Sequence, residues 1–300
     1  MKNILISGGT GFVGKALIAY LLEHYPDVTL TILVRGEVAL DPSPRVKYCL
    51  WDVNKRFIDP SLSEDIDTII HLAGANIAEK RWTRKRKELL LKSRTESGKL
   101  LVDWIMAHGR KVKTFVSASA VGWYGEGKAG QLFKEDDPAG KGFLADVCRK
   151  WEATTSPLIA RGIRVAWIRT GLVLHPSGGM WKALSASFRF GIAPRFASGR
   201  QCFSWIGLAD LVSLYAFVAA HDHVVGPVNA VAPHPVSQLA LTKALLAKQS
   251  GSSLVLPVPS FLLKLALGEL SIELLKNAAV SADKIQQAGF QFSAKNPSDL

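Results

Sequence analysis

Gly8, Gly11 and Gly14 are spaced G-x-x-G-x-x-G within Ser7-Gly8-Gly9-Thr10-Gly11-Phe12-Val13-Gly14. Glycine at this spacing removes the side chains that would hold a backbone away from a pyrophosphate. The free N–H groups of a following helix then face the anion. The same stretch also fits G-x-x-x-x-G-K, the phosphate loop of nucleoside triphosphatases, through Gly9, Gly14 and Lys15. That motif needs Ser or Thr next to hold magnesium, and Ala16 stands there instead. The dinucleotide reading is therefore preferred, both to a triphosphatase and to a glycine turn without a ligand.

Arg35 stands twenty-one residues beyond Gly14, where a dinucleotide fold meets the adenosine ribose. An acid there would bind the 2′-hydroxyl of NAD. A guanidinium suits the 2′-phosphate of NADP, being a planar cation with several donors. Glu37 keeps NAD open, and a plain solvated arginine is the bland alternative. Asp52, with Val53 beside it, is placed to meet the adenine amino group. Leu72, Ala73 and Gly74 are small or apolar enough to let a cofactor pass over a strand end. Ser117 and Ser119 could hold a substrate oxygen or merely bond the backbone at a strand end. Tyr124 is the phenol nearest to them in sequence, and it is the candidate proton donor or a wall of the pocket. Arg195 and Arg200 are candidates for an anionic substrate group, or ordinary surface charges. His71 reads as a core or turn histidine.

The elements that must position these residues alternate. Ile4, Leu5 and Ile6 form a buried strand that stops at the glycines, and Val13, Leu17, Leu21 and Leu22 recur at helical spacing. Further strands are predicted at 28–34, 46–50, 66–72, 113–120 and 165–174, with helices at 83–108 and 141–161. Such alternation describes an α/β fold with a Rossmann-type doubly wound parallel sheet. The domain reading is a nucleotide-binding domain over 1–172, to which 203–233 returns, and a smaller substrate-binding domain over 173–300. Prolines break up the second part. The apolar stretch 261–275 has the look of a membrane-surface helix, but Glu269 and Glu273 balance Lys264. It is read as packed in the small domain or against a partner.

With 300 residues, 48% hydrophobic and 21% charged, the chain has the composition of a globular protein with a large core. Its three scattered cysteines suggest a reducing compartment and offer no zinc pattern. No signal peptide or membrane span is visible, so the expected location is cytoplasmic, with no membrane partner. Half of the net charge of +12 falls between Glu79 and Lys99, where nine Lys/Arg face three Glu. A solvated helix face is preferred there to a nucleic-acid site, since no nucleic-acid signature accompanies it. No metal site is expected.

In this order the motifs resemble the extended short-chain dehydrogenase/reductase superfamily. They run through Gly8-Gly9-Thr10-Gly11, Val34-Arg35, Trp51-Asp52, His71-Leu72-Ala73-Gly74, Ser117-Ala118-Ser119 and Tyr124-Gly125. Arg81-Trp82-Thr83, Ser93-Arg94, Trp151-Glu152, Gly199-Arg200-Gln201 and Ser204-Trp205-Ile206 look like its atypical YfcH-like, sugar-nucleotide epimerase-like branch. The resemblance implies a Rossmann fold, NADP(H) as cofactor and a C-terminal substrate domain. Active members of the superfamily carry Tyr-x-x-x-Lys. Here those positions fall near Phe143 or Leu144 and near Cys148, so neither partner is present. Tyr124 and Lys128 share the spacing, but the two glycines between them argue for a loop. The expected function is an NADP(H)-dependent oxidoreductase or epimerase-like enzyme acting on a small molecule with a carbonyl or hydroxyl group. The alternative is a non-catalytic NADPH-binding regulator. A homo-oligomer is compatible with either.

Overall fold

The run Ile4-Leu5-Ile6 is wholly buried and forms β1 (Asn3–Ser7), at the interior of an eight-stranded sheet. The computed structural model describes residues 1–36, 43–248 and 253–300. In chain order the next strands are β2 (Thr29–Val34), β3 (Val46–Asp52), β4 (Phe57–Ile58), β5 (Thr68–His71), β6 (Thr114–Ala120), β7 (Leu132–Phe133) and β8 (Arg164–Thr170). They are followed by β9 (Leu172–His175), β10 (Ile192–Phe196), β11 (Cys202–Phe203), β12 (Trp205–Gly207), β13 (Gly226–Ala230), β14 (Val236–Ser237), β15 (Leu254–Val258) and β16 (Ala279–Val280). The order across the large sheet is β13-β8-β6-β5-β1-β2-β3-β4, and every neighbouring pair is parallel except β3 with β4. The chain therefore winds outward from β1 through β2 and β3, then resumes at β5 on the other flank of β1. In such sheets the crevice for a ligand opens at the carboxyl ends of the strands where winding reverses, here β1 and β5.

The helices are α1 (Phe12–His24), α2 (Arg84–His108), α3 (Phe143–Ala153), α4 (Pro157–Ala160), α5 (Gly179–Phe188), α6 (Leu208–Ala220), α7 (Gln238–Leu246), α8 (Ser260–Leu267), α9 (Leu270–Leu275) and α10 (Asp283–Gln287). Successive side chains of β1 feed opposite faces of the sheet, as strand geometry requires. Ile4 and Ile6 pack with Leu17 of α1 and Leu214 of α6. Leu5 packs with Leu101 and Ile105 of α2 and with Leu158 of α4. Helices cover both faces, which is the doubly wound architecture that the alternation predicts.

Two elements differ from the sequence-based expectation. The strand expected over 165–174 breaks at Gly171: β8 ends at Thr170 in the large sheet, and β9 peels away to pair with β12. A Cβ on Gly171 would lie 2.6 Å from the carbonyl oxygen of Ser204, so only glycine permits that approach. The helix expected over 141–161 divides into α3 and α4, because Pro157 has no N–H to continue the first helix and instead opens the second. Beyond the sheet, Trp181 and Leu184 of α5, Phe196 of β10, Leu241 of α7 and Leu263 of α8 share a separate core. Among the described residues no helix is long and apolar enough to cross a membrane.

Candidate functional site

The turn between β1 and α1 is built from close backbone contacts. Gly8 adopts φ +75°, and a Cβ there would lie 2.8 Å from the backbone nitrogen of Ala73. A Cβ on Gly14 would lie 2.3 Å from the Gly8 carbonyl oxygen. These two glycines are closed in by the fold. Gly11 is different: it is exposed, and a Cβ there would approach only the Gly8 oxygen, at 3.2 Å. Gly11 also caps α1 with no side-chain hydrogen bond, and the first turn of that helix carries no acid. The leading N–H groups of α1 therefore have no side-chain acceptor and face an open, exposed approach past Thr10 and Gly11. Donors of this kind, with the positive end of the helix dipole behind them, fit a pyrophosphate.

Four further segments surround this turn. Leu72 donates its N–H to the Ser7 carbonyl at 3.0 Å, which brings the half-buried Leu72 and Ala73 and the exposed Gly74 beside the glycine turn. The turn between β9 and α5 covers Phe12, since a Cβ on Gly178 would fall 2.5 Å from its ring. Val13 is half-buried behind it. Arg35 stands exposed at the end of β2, and a Cβ on the following Gly36 would meet nothing within 4 Å. Glu37 lies outside the described residues. Asp52 is half-buried at the end of β3, and its carboxylate accepts the N–H groups of Asn54 at 2.9 Å and Lys55 at 3.2 Å. One of its oxygens is thus engaged in a local turn, and Val53 is half-buried beside it.

Of the candidate catalytic residues, Tyr124 and Ser119 lie in one closed hydrogen-bond network, and Ser117 is buried outside it. Tyr124 is 2% exposed, donates its hydroxyl to Asn229 Oδ1 at 2.6 Å and accepts from Arg169 Nη1 at 3.1 Å. Its ring stacks on Phe133 at 5.0 Å. Burial pushes its pKa up to about 12, against the opposing pull of Arg169. A phenol so placed is a poor acid near neutral pH. Ser119 donates to the Glu152 carboxylate at 2.6 Å, and that carboxylate takes two bonds from Arg169, both at 3.0 Å. Ser117 is fully buried, with its hydroxyl on the Ala118 carbonyl at 3.0 Å. Cys148 is also buried, and desolvation raises its thiol pKa to about 11.

Arg195 is half-buried on β10, with its Nε buried and lacking a hydrogen-bond partner, and Arg200 is exposed. Among the described residues neither guanidinium meets a carboxylate. The structure thus brings Gly8 and Gly14 of the glycine turn close to Leu72 and Ala73, with Thr10, Gly11, Phe12 and Gly74 exposed and Val13 half-buried. Ser117 and Ser119 lie buried on β6, and Tyr124 just after it.

A family model described as the NAD dependent epimerase/dehydratase family matches residues 4–143, and a domain of unknown function, DUF1731, matches residues 258–297. An epimerase family protein of Mycobacterium bovis is 36% identical over 96% of this chain and 93% of its own length. The chain belongs to the epimerase family. Within the short-chain dehydrogenase/reductases this is the atypical extended branch to which its motifs point. A Staphylococcus haemolyticus epimerase family protein is 33% identical over 99% of this chain and 96% of its own. The crystal structure of the human epimerase family protein SDR39U1 with NADPH aligns with a TM-score of 0.83 and 27% identity, covering 99% of this chain and 97% of that one. The epimerase family binds NAD(P) on this fold.

In the sequence, Ser93, Arg94 and Glu152 enter only as motifs of the resemblance, without a role, and Arg169 and Asn229 are not singled out there. Glu152, Arg169 and Asn229 hold the buried network; the available signal was an arginine and an amide set in the mostly apolar strands β8 and β13. Ser93 and Arg94 hold both sides of Ala75: its N–H donates to Ser93 Oγ at 3.0 Å, and its carbonyl accepts from Arg94 Nη2 at 3.1 Å. Arg94 lies over the Trp151 ring at 5.0 Å, and burial lowers its pKa to about 10.

Proposed function

We propose that this chain binds NADPH across the glycine turn and acts as an NADP(H)-dependent oxidoreductase or epimerase-like enzyme. Its substrate would be a small carbonyl or hydroxyl compound bearing an anionic group. The observation that carries the reading is the uncapped first turn of α1, open at Gly11 and closed at Gly8 and Gly14. The exposed Arg35 at the end of β2 supports the 2′-phosphate form, as does the NADPH in the human relative's structure. When bound, the nicotinamide supplies or accepts hydride.

This chain's residues then have separate roles. The N–H groups of α1 hold the pyrophosphate, and Arg35 holds the 2′-phosphate. Leu72, Ala73 and Gly74 line the path towards the nicotinamide. Arg195 and Arg200 face the anionic group of the substrate. Tyr124 and Ser119 act as supports, and the reaction's proton exchanges with water in the crevice. Titrating NADPH and NADH calorimetrically into wild type and Arg35→Ala tests the cofactor assignment. Loss of the charge-assisted contacts should weaken NADPH by about 1–3 kcal/mol and leave NADH unchanged. Equal preference in both proteins would overturn it.

A non-catalytic NADPH-binding regulator is the second reading. The sequence favours it, because the superfamily's tyrosine position falls near Phe143 or Leu144 and its lysine position near Cys148. Tight NADPH binding with no turnover in a screen of quinones, aldehydes and sugar nucleotides would select it.

A further inference from the structure

Between Glu152 and Asp210, and again between Asp222 and Glu269, the sequence holds no acidic residue. The first stretch supplies α5 and β10, and the second supplies α7, β15 and α8. The lobe built around Trp181, Phe196 and Leu263 consequently carries exposed cations from both stretches, with no carboxylate side chain from either. Lys182 and Arg189 come from the first, and Lys243 and Lys264 from the second. Lys248 is set apart, since its ammonium bonds the carbonyl of Leu300.

The same lobe leaves large apolar side chains in water. Phe190 is 83% exposed, Leu254 68%, Phe261 65% and Leu265 70%. Ile192 and Leu254 are register partners in the β10–β15 ribbon, so they point to one side of it. On β15 the exposed Leu254 and Leu256 alternate with the half-buried Val255, which marks an outer and an inner face. On α8 the inner side chain is Leu263, at 6% exposure. Phe261 and Leu265, four residues apart, share the opposite side, with Lys264 beside them. Of the apolar stretch that the sequence assigns to the small domain or to a partner, α8 is thus packed by only one of its two faces.

We propose that this lobe docks on an anionic lipid surface. Phe261 and Leu265 of α8, with Leu254 of β15, would enter the interface while the surrounding cations meet headgroup phosphates. A second copy of the chain fits poorly, because two such faces would oppose cation to cation. A nucleic acid would satisfy the charge but give the leucines nothing to enter. A bilayer satisfies both the charge and the apolar side chains.

The test is co-sedimentation of the full chain with two kinds of vesicle. One is phosphatidylcholine alone, and the other contains about one-third phosphatidylglycerol. Binding is expected on the anionic vesicles only, and should weaken as salt is raised. Leu265→Ser should lower it about tenfold or more, since one buried leucine is worth that much. Phe261→Ser and Lys264→Glu should each lower it too, with thermal unfolding kept cooperative in all three. No sedimentation with anionic vesicles at low salt would overturn the proposal, and so would equal binding to both vesicle types. A wild-type dimer that Phe261→Ser dissociates would overturn it as well, by showing that a second copy covers the face. NADPH titration of the same variants reads the cofactor site separately.

Discussion

Gly11 and Gly14 sit three residues apart, yet the fold needs them for different reasons. A Cβ on Gly14 would collide with the Gly8 carbonyl at 2.3 Å, so a side chain there would rebuild the turn. Gly11 has φ −78° and ψ 176°, which any residue adopts, and a Cβ there would meet one neighbour, the Gly8 carbonyl oxygen at a tight 3.2 Å that a small shift relieves. Gly11→Val should therefore fold with little change in Tm and lose NADPH binding, because the new methyl groups would occupy the phosphate's approach. Gly14→Ala should lower both Tm and affinity. Calorimetric titration beside thermal unfolding separates the two. Normal NADPH affinity in Gly11→Val would move the pyrophosphate elsewhere. The spacing of the glycines is plain in the sequence. Which of them faces ligand and which faces backbone is not, because that depends on where the Leu72-Ala73 segment arrives from the far side of β1.

At the scale of elements, the far strands of the sheet are tied together by one buried network. Arg169 of β8 joins Glu152 of α3, Tyr124 after β6 and the carbonyl of Glu135. Asn229 of β13 accepts from Tyr124 and donates its backbone N–H to the Glu135 carboxylate at 2.9 Å. Tyr124→Phe should therefore cost about 1–3 kcal/mol of stability, the usual consequence of leaving a buried partner unsatisfied. NADPH affinity should be unchanged. A stable variant with altered cofactor binding would return the phenol to the crevice. Sequence alone shows Tyr124 following the Ser117-Ala118-Ser119 strand end, and from there either the crevice or the core is open to it. The choice is made by Arg169 and Asn229, which come from strands far along the chain. The strands were legible because β-branched and aliphatic runs end in small residues; Gly171 hid the departure of β9, since a single glycine signals a break without saying where the chain goes next.

His71 links β1, β5 and α2, with Ser7 Oγ at 2.6 Å on one ring nitrogen and Ser97 Oγ at 3.2 Å on the other. Burial lowers its pKa to about 4. The unfolded chain binds this proton near pH 6.5, more readily than the folded protein does. Stability from this site should thus be full above pH 6.5, fall by about 1.4 kcal/mol per unit as pH drops towards 4, and level off below. Urea unfolding of wild type and His71→Asn across that window checks it. An unchanged slope in the variant would refute the assignment.

Across the whole molecule, residues 279–300 lie along the β13 edge of the sheet. Such a chain end would fray without fixed attachments. β16 pairs with β7, Ser281 accepts from Asn229 Nδ2 at 3.1 Å, and Lys284 Nζ bonds the carbonyls of Val225 at 2.8 Å and Pro227 at 2.6 Å. The tightest attachment is Asp210, 3% exposed in the first turn of α6. Its carboxylate accepts the Ser293 N–H at 2.8 Å, the Ser293 hydroxyl at 2.7 Å and the Ala294 N–H at 3.0 Å. Three donors on one buried carboxylate have no other acceptor once it is removed. Asp210→Ala should accordingly lose about 2–4 kcal/mol, more than one neutral hydrogen bond supplies, because charge-assisted bonds are the stronger kind. Asp210→Asn keeps the shape but replaces one acceptor with a donor, so it should lose a similar amount. Urea unfolding measures both, and an unchanged m-value would show that the chain still unfolds as one unit. A loss below about 0.5 kcal/mol in Asp210→Ala, the usual range for a surface substitution, would mean that the strand pairing and Lys284 hold the C-terminal segment without this carboxylate.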